Sequence, residues 1–297
     1  MFSRYQNPWN HLKEIGNNMP IVGFKCTRKK ENVSFDDCLK CSLTYENKCQ
    51  FTPDILNGII SQVTDVRDAI SVTKIIGCQR LTYLMSNNDV YVSPEKLYWA
   101  FRGTLAHSII EKYKIDPDAI VEQRFNKTIA GKYVISGKPD IIIPKHKIIR
   151  DYKTTNSVPM YNRVYSHHEE QLNIYRWLVY DIYPIDRLEV VYMDMKQVKT
   201  CEVKNIWELS LCEEVVTKRV TALAEALATK TIPDPPSEFP IYWQCKDYCD
   251  CNGVCVKLFK ENLTKDFDKW ASKEWFEVEK KGGFTNATKP GKVSRKK

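Results

Sequence analysis

Two aspartates and a lysine lie on neighbouring segments of this sequence that have the composition of β-strands. Asp140 precedes a run of three isoleucines, and Asp151 and Lys153 follow a second apolar run. Residues 144–147, Pro-Lys-His-Lys, separate the two runs and are typical of a turn. If the turn is centred in the middle of these four residues, Asp140 lies directly across from Asp151.

This pairing predicts a site for a divalent cation. Opposed β-carbons in an antiparallel pair are about 4.5–5.5 Å apart. Carboxylates held that close repel each other unless a cation lies between them, so Asp140 and Asp151 favour Mg²⁺ or Mn²⁺. Lys153 projects from the same strand face as Asp151, where an ammonium could orient a water and balance charge on a phosphate under attack. The metal would lower the pKa of that water.

The alternative is an exposed hairpin that carries a surface aspartate and an ordinary Asp–Lys pair. The composition of the strands argues against it, because residues 141–143 and 148–149 are all isoleucine. Such strands are typically buried on both faces, and an acid within a buried strand requires a partner.

The surrounding pattern predicts a mixed α/β (α+β) core. Helical spacing covers residues 52–87, and Ser93-Pro94 has the form of an N-cap followed by proline. The helix that it opens carries a four-residue spacing that predicts a buried stripe of Leu97, Phe101, Leu105, Ile109 and Tyr113.

Strands and helices then alternate to residue 240. We predict strands over 120–126, 132–143, 148–154, 187–195 and 198–204, helices over 166–181 and 206–230, and an irregular strand over 233–240.

The hairpin resembles the PD-(D/E)XK nucleases, and within them the RecB-like branch. The resemblance lies in Gly-x-Pro-Asp at 137–140 and Asp-Tyr-Lys-Thr at 151–154. Residues 102–107, Arg-Gly-Thr-Leu-Ala-His, resemble the helical G-x-x-x-H motif of that branch, and residues 171–175, Gln-Leu-Asn-Ile-Tyr, resemble its Q-x-x-x-Y motif. The ordered motifs cover about residues 71–256.

The resemblance implies a restriction-endonuclease-like mixed sheet flanked by helices. It also implies a Mg²⁺- or Mn²⁺-dependent deoxyribonuclease that acts as an exonuclease or on single strands. The implied metal ligands are His107, Asp140, Asp151 and the carbonyl of Tyr152, Lys153 is the implied catalytic lysine, Gln171 and Tyr175 would position it or the phosphate, and Glu122 lies where the family often has an acid.

Two of these residues have simpler interpretations. A lone histidine on an amphipathic helix, such as His107, is often packed or solvated, although Gly103 one turn earlier leaves room for a ligand. Tyr175 shares a helix face with Leu172 and Leu178 and could be a core residue.

A late cysteine cluster extends the resemblance to the iron–sulfur members of the branch, which include the CRISPR-associated exonuclease and the AddB nuclease domain. The implied ligands of a 4Fe–4S cluster are Cys78, Cys245, Cys249 and Cys255. A set that uses Cys251 in place of Cys245 stays open, as does a zinc site of the four late cysteines alone.

An early cysteine group lies outside the resemblance. It consists of Cys26, Cys38, Cys41 and Cys49, with a C-x-x-C pair in its middle. Four thiolates suit a closed tetrahedral zinc site, and a segment with so few apolar residues would scarcely fold without metal. Unliganded thiols and a second cluster are the alternatives.

Composition limits the class of protein. The 297 residues are 43% hydrophobic and contain no uninterrupted apolar run of membrane-spanning length and no secretory signal pattern, so we expect an intracellular, cytoplasmic protein. Eleven cysteines then suggest thiols and metal ligands rather than disulfides. The net charge of +8 depends on the tail: residues 280–297 hold seven of the 45 basic residues, which leaves 38 against 37 acidic ones.

We expect a cysteine-rich segment over 1–51, a nuclease core with its iron–sulfur staple over 52–260, a helix over 261–279 and a basic disordered tail over 280–297. DNA is the expected partner, with no membrane, and a helicase, recombination or CRISPR partner is a further expectation. The alternatives are a non-catalytic iron–sulfur DNA-binding module and a redox enzyme, although no flavin, nicotinamide or radical-SAM pattern is present.

Overall fold

The computed structural model describes residues 21–44, 49–63, 69–113 and 116–234, together with Cys249 and Cys251. The chain divides into two compact units, Met1–Asp250 and Cys251–Lys297. All of the secondary structure given below belongs to the first unit, and Cys251 is the described residue of the second.

Strands and helices are interspersed along the described chain. The strands are β1 (Ile21–Cys26), β2 (Glu31–Ser34), β3 (Ile70–Ser71), β4 (Val90–Val92), β5 (Ile120–Val121), β6 (Phe125–Ile129), β7 (Tyr133–Gly137), β8 (Ile141–Ile143), β9 (Ile148–Thr154), β10 (Arg187–Met193) and β11 (Val198–Glu202). The helices are α1 (Phe35–Leu43), α2 (Pro53–Ser61), α3 (Val72–Ile76), α4 (Gln79–Asn87), α5 (Pro94–Lys112), α6 (Ser166–Val179) and α7 (Leu209–Thr229).

The central sheet has five strands in the order β11-β10-β9-β8-β5. It is mixed, because β9 pairs antiparallel with β8 and parallel with β10. The β8–β9 hairpin turns through a short 3₁₀ segment, Pro144–His146, and closes at Lys147, whose φ of 54° is left-handed. This is the turn that the sequence predicts.

Helix α6 provides the crossover between the parallel strands β9 and β10 and packs on both. It also contacts β6 and α7, so its apolar side chains are enclosed on several sides. Trp177, Leu172 and Ile174 are essentially inaccessible to solvent. This helix is therefore the centre of the hydrophobic core and a rigid support for polar groups on its sheet-facing side.

Two three-stranded sheets complete the described fold. One has the order β3-β7-β6 and lies against α3 and α6. The other has the order β2-β1-β4, in which β1 pairs in parallel with β4. Strand β4 leads directly into α5, so this second sheet is joined to the start of α5.

The mixed α/β class is confirmed, but three element predictions are wrong in detail. The strand predicted over 120–126 is interrupted between β5 and β6, where Glu122 has a left-handed φ of 52°. The helical stretch predicted over 52–87 is divided into α2, α3 and α4, because Ser71 and Cys78 act as N-caps of new helices. The strand predicted over 132–143 is interrupted between β7 and β8, where Pro139 has no amide hydrogen for a ladder.

The buried stripe predicted for α5 is also wrong. Ser93 caps the helix and Pro94 occupies its first turn as predicted, yet Leu105, Ile109 and Tyr113 are 49%, 61% and 66% exposed. A four-residue spacing advances about 40° at each step beyond a full turn, so five such residues wind around the helix rather than form one face.

Several expectations lie partly or wholly outside the described residues. These are the irregular strand over 233–240, of which residues 233 and 234 are described and not in a strand, the helix over 261–279 and the basic tail over 280–297. In the described part of the chain, no helix combines the length and hydrophobicity needed to cross a bilayer.

Gly137 allows close packing of β7 on α6. A β-carbon at this position would lie 2.6 Å from Leu178 Cδ2 and 2.9 Å from a ring carbon of Tyr175. We therefore expect Gly137→Ala to lower the free energy of unfolding by about 1–3 kcal/mol, as measured by urea denaturation.

Gly103→Ala is the matched control for this prediction. The new β-carbon would have 3.6 Å to its nearest neighbour, Thr154 Oγ1, and alanine favours the helix by about 0.5–1 kcal/mol. The two variants should change stability in opposite directions. Equal destabilisation by both would contradict the packing described for Gly137.

Candidate active site

Two buried carboxylates face each other at the end of the β8–β9 hairpin. The pairing of Ile141 with Arg150 and of Ile142 with Ile149, extended by one residue, places Asp140 across from Asp151. Asp140 is 7% exposed and Asp151 is 1% exposed. The structure therefore brings these two residues together in the register that the sequence predicts.

Asp140 is held by the backbone on both sides. Its Oδ2 accepts a hydrogen bond of 2.7 Å from the backbone N–H of Tyr152, and its own carbonyl accepts one of 3.0 Å from the N–H of Glu122. Burial, followed by the negative charge of Asp151, raises the pKa of Asp140 to about 7. The site consequently disfavours a second negative charge unless a cation is close.

Lys153 provides one such cation. Its Nζ lies 2.8 Å from Asp151 Oδ2. Burial alone would lower the pKa of Lys153, but the charges of Asp151 and Asp140 outweigh it and raise the pKa. Lys153 is therefore an ammonium group in this arrangement.

His107, on α5, provides a second positive charge. Its Nε2 donates to the carbonyl of Tyr152 at 2.9 Å, while its Nδ1 lies 3.4 Å from Asp140 Oδ1 and 3.5 Å from Glu122 Oε1. The hydrogen bond to Glu122 is the largest cause of a raised pKa at His107, against which burial acts. With acceptors at both ring nitrogens, His107 is arranged as an imidazolium.

Glu122 completes this group from the connection between β5 and β6. Its φ of 52° lies in the left-handed region, which is uncommon for a residue with a side chain. Burial opposes its charge, but hydrogen bonds from His107 and Lys138 lower its pKa. Lys138 forms an ion pair with Glu122.

Among the described residues, the group of potential metal ligands whose atoms all lie within 4.8 Å of one another consists of His107, Glu122 and Asp140. One imidazole and two carboxylates are suitable donors for Mg²⁺ or Mn²⁺. The donor chemistry therefore fits a divalent ion.

The arrangement differs from the expected ligand set in two ways. Glu122, which the resemblance did not name as a ligand, belongs to the group of three side chains within 4.8 Å of one another. Asp151, which was an expected ligand, forms an ion pair with Lys153 beside that group. The carbonyl of Tyr152 accepts from His107.

Gln171 and Tyr175 are hydrogen-bonded to each other on the inner side of α6. Gln171 Nε2 donates to the Tyr175 hydroxyl at 2.9 Å, and both side chains are buried. Burial, followed by the charge of Asp151, raises the pKa of Tyr175 to about 12. The Tyr175 hydroxyl lies close enough to Asp151 and Lys153 for their charges to affect its pKa.

The sequence reasoning missed a polar cluster at the start of α6. The hydroxyl of Tyr192 accepts from the N–H of Tyr165 at 3.1 Å and lies 2.9 Å from His168 Nδ1. Burial, the neighbouring His167 and Lys153 lower the pKa of His168 to about 2, so it is neutral. One signal in the sequence could have indicated this cluster: the start of α6 follows β9, the strand that carries Lys153.

The cysteines fall into two described groups. Cys26, Cys38 and Cys49 line one cavity. Cys78 is the N-cap of α4, where its Sγ accepts the N–H of Leu81 at 3.4 Å. Of the late cysteines, Cys249 and Cys251 are described, and Cys245 and Cys255 lie outside the described residues.

Comparisons with known proteins agree with this site. Residues 111–256 match the family model of the PD-(D/E)XK nuclease superfamily, so this part of the chain is similar to the nuclease domains of that superfamily. Its mixed sheet flanked by helices is the restriction-endonuclease-like arrangement that the sequence predicts.

The crystal structure of SSO0001 is one solved structure that is similar to this chain. It has a TM-score of 0.51 and 22% sequence identity, and the match covers 68% of this chain and 93% of that one. At this identity the likeness concerns the fold. No curated protein matches the chain significantly.

The raised pKa of Asp140 generates a pH-dependent prediction. A carboxyl whose pKa is higher in the folded state than its ordinary value of 3.8 contributes stability that is present below about pH 4 and is lost as the pH rises through about 7. Asp140→Asn removes this loss and retains an acceptor for Tyr152 N–H. The metal-free variant should therefore exceed the wild type by about 1–3 kcal/mol at pH 8 and by much less at pH 5.

Urea denaturation in a chelator at the two pH values measures this difference. Added Mn²⁺ should stabilise the wild type and leave Asp140→Asn nearly unchanged. A variant that is less stable than the wild type at pH 8 without metal would refute the electrostatic account.

Proposed function

We propose that the PD-(D/E)XK domain makes this protein a metal-dependent deoxyribonuclease that hydrolyses phosphodiester bonds of DNA. One observation supports the proposal above all others: three potential metal-ligand side chains meet within 4.8 Å beside the ion pair of the buried Asp151 with Lys153. A buried ion pair contributes little to stability on balance, so its placement next to a ligand group favours a chemical role.

His107, Asp140 and Glu122 would hold a Mg²⁺ or Mn²⁺ ion, with Asp151 and the Tyr152 carbonyl as the further ligands that the family resemblance implies. When bound, such an ion supplies an activated water and stabilises charge on the phosphate. In its absence, the proton on His107 compensates the carboxylates. His107 must therefore release a proton before it can act as a ligand.

Lys153 acts in this proposal as a fixed positive charge. Its ammonium is held 2.8 Å from the buried carboxylate of Asp151, and its side chain is half-buried. A charge already in position can stabilise a phosphate oxygen without reorganising at the moment of reaction. Gln171 and Tyr175 limit the movement of Lys153 from the opposite side.

DNA is the proposed substrate because the superfamily consists of nucleases and because the site combines a metal-ligand group with a cation suited to a phosphate. The RecB-like motifs of the sequence extend the proposal. They favour exonucleolytic or single-strand-directed cleavage, an intracellular location, and a helicase, recombination or CRISPR-type partner.

An iron–sulfur cluster on Cys78, Cys245, Cys249 and Cys255 is a separate part of the proposal. Of its described members, Cys249 is half-buried, and Cys78 lies at a helix start where the N–H of Leu81 is directed at its sulfur. The cluster would have a structural role.

Anaerobic purification followed by iron and sulfide analysis tests the cluster. We expect about four irons per chain in the wild type, and a loss of most of them in Cys78→Ser. Cys212→Ala, in α7, is the control because Cys212 is buried beside the carbonyl of Asn173 and should not alter the iron content. A wild-type protein reconstituted with iron and sulfide that retains no iron would refute the cluster and leave the nuclease proposal intact.

Lys153→Ala tests the nuclease. Removal of a preorganised positive charge at a phosphate typically slows reaction by about 10²–10³-fold, so we expect a loss of that size in kcat on labelled single- and double-stranded DNA with Mg²⁺ or Mn²⁺. DNA binding, followed by fluorescence anisotropy, should change little because Lys153 would contact one phosphate among the several that hold the DNA.

Lys147→Ala is the matched control. It removes a lysine of the same hairpin that is exposed and pairs with Asp186 on the surface, and it should retain full activity. If the wild type binds DNA without cleaving it in either metal, the protein is a binding module instead. Equal activity in Lys153→Ala and the wild type would exclude the proposed role of Lys153.

A further inference from the structure

The early cysteines lie together in the sheet that leads into α5. Cys26 ends β1, Cys38 and Cys41 lie on α1, and Cys49 precedes α2. Strand β1 and helix α1 pack on each other, and α1 packs on α2. Three adjacent elements therefore deliver four thiols to one part of the molecule, apart from the nuclease site.

The turn after Cys26 has features of a metal-binding loop. Lys30 adopts a left-handed φ of 56° and donates its N–H to the carbonyl of Cys26 at 2.8 Å. The N–H of Lys29 is directed at Cys26 Sγ at 3.4 Å. A backbone N–H in this position can donate a hydrogen bond to the sulfur of a metal-bound cysteine.

Cys38 and Cys41 are three residues apart on α1 and so project from the same side of the helix. The start of this helix is fixed by Ser34, whose Oγ accepts the N–H of Asp37 at 3.1 Å. The helix therefore presents its C-x-x-C pair from a defined position after the β1–β2 hairpin.

The space between these elements is a cavity of about 270 Å³. Its walls include Cys26, Cys38 and Cys49, together with the apolar side chains of Phe24 and Leu56. The thiols of Cys49, Cys26 and Cys41 all lie near enough to Cys38 to interact with it electrostatically. Three of the four cysteines thus line one largely apolar cavity, and Cys41 lies near it on the same helix as Cys38.

We propose that Cys26, Cys38, Cys41 and Cys49 bind one Zn²⁺ ion as a closed, structural tetrathiolate site. The four thiols release four protons to solvent and form four Zn–S bonds, which leaves a complex of charge −2. Lys29 and Arg28 lie beside the thiols and offset this charge. This proposal is independent of the proposed nuclease activity.

Zinc would draw the three elements closer together. Zn–S bonds of about 2.3 Å place tetrahedral sulfurs about 3.8 Å apart. Among the described residues, His107, Glu122 and Asp140 form the ligand group that meets within 4.8 Å, and the thiols are more widely spaced. Closure of the cavity by a metal would therefore shorten the sulfur separations.

The site would stabilise the start of the helix that carries His107. Glu95, in the first turn of α5, lines the same cavity and accepts hydrogen bonds from Thr27 Oγ1 at 3.3 Å and from Gln50 Nε2. The pairing of β1 with β4 adds a second connection to the start of α5. Zinc at the cysteines would thus hold α5 at its N-terminus.

Metal analysis of the full chain, purified with zinc in the medium, tests the proposal. We expect about one zinc per chain in the wild type and in the control Cys212→Ala. The zinc content of Cys38→Ser and that of Cys49→Ser should each be at least five-fold lower than the zinc content of the wild type. Zinc retained in both serine variants, or iron lost from Cys38→Ser in place of zinc, would overturn the assignment.

A second measurement needs no variant and so does not depend on whether the serine variants fold. The native wild type is alkylated with and without prior removal of zinc by a chelator, and the modified cysteines are identified by mass spectrometry. All four early cysteines should be protected while zinc is bound and modified after chelation. Modification of any two of them at full zinc occupancy would overturn the site.

Discussion

The electrostatic repulsion between Asp140 and Asp151 is the constraint on which the candidate site depends. The two carboxylates face each other across one hairpin, and their residues are only 7% and 1% exposed. Ionised acids are unfavourable at such positions unless positive charge or hydrogen bonds compensate them. Lys153 and a protonated His107 supply positive charge from two sides. The backbone of Tyr152 links these groups, because its N–H is donated to Asp140 and its carbonyl accepts from His107.

The fold keeps these charges in place with the most rigid parts of the molecule. Strand β9 has a paired neighbour on each side. Asp151 and Lys153 therefore cannot change position unless β9 slides and breaks the hydrogen bonds of both pairings. The buried helix α6 closes the opposite side with Gln171 and Tyr175. The site thus combines local stiffness with groups that are individually unfavourable, a common division in enzymes.

The sequence predicted the parts that depend on short-range rules. The hairpin register followed from turn position and strand period, and Asp140 faces Asp151 as expected. The exposure of Leu105 and Ile109 was not predicted, because apolar spacing shows which residues could be buried and not which face meets a sheet. The closeness of Glu122 to His107 depends on a left-handed residue between two strands, which composition does not indicate.

Helix α5 has 19 residues, of which Pro94 alone is buried. Contacts of α5 with β9 and the hydrogen bond from His107 to the Tyr152 carbonyl connect this helix to the central sheet. Any ligand that pulls on His107 also orders the helix, so part of its intrinsic affinity is used to restrict the motion of α5. Binding of a ligand at the carboxylate pair and ordering of α5 are consequently coupled, so a measurement of either one follows the same equilibrium.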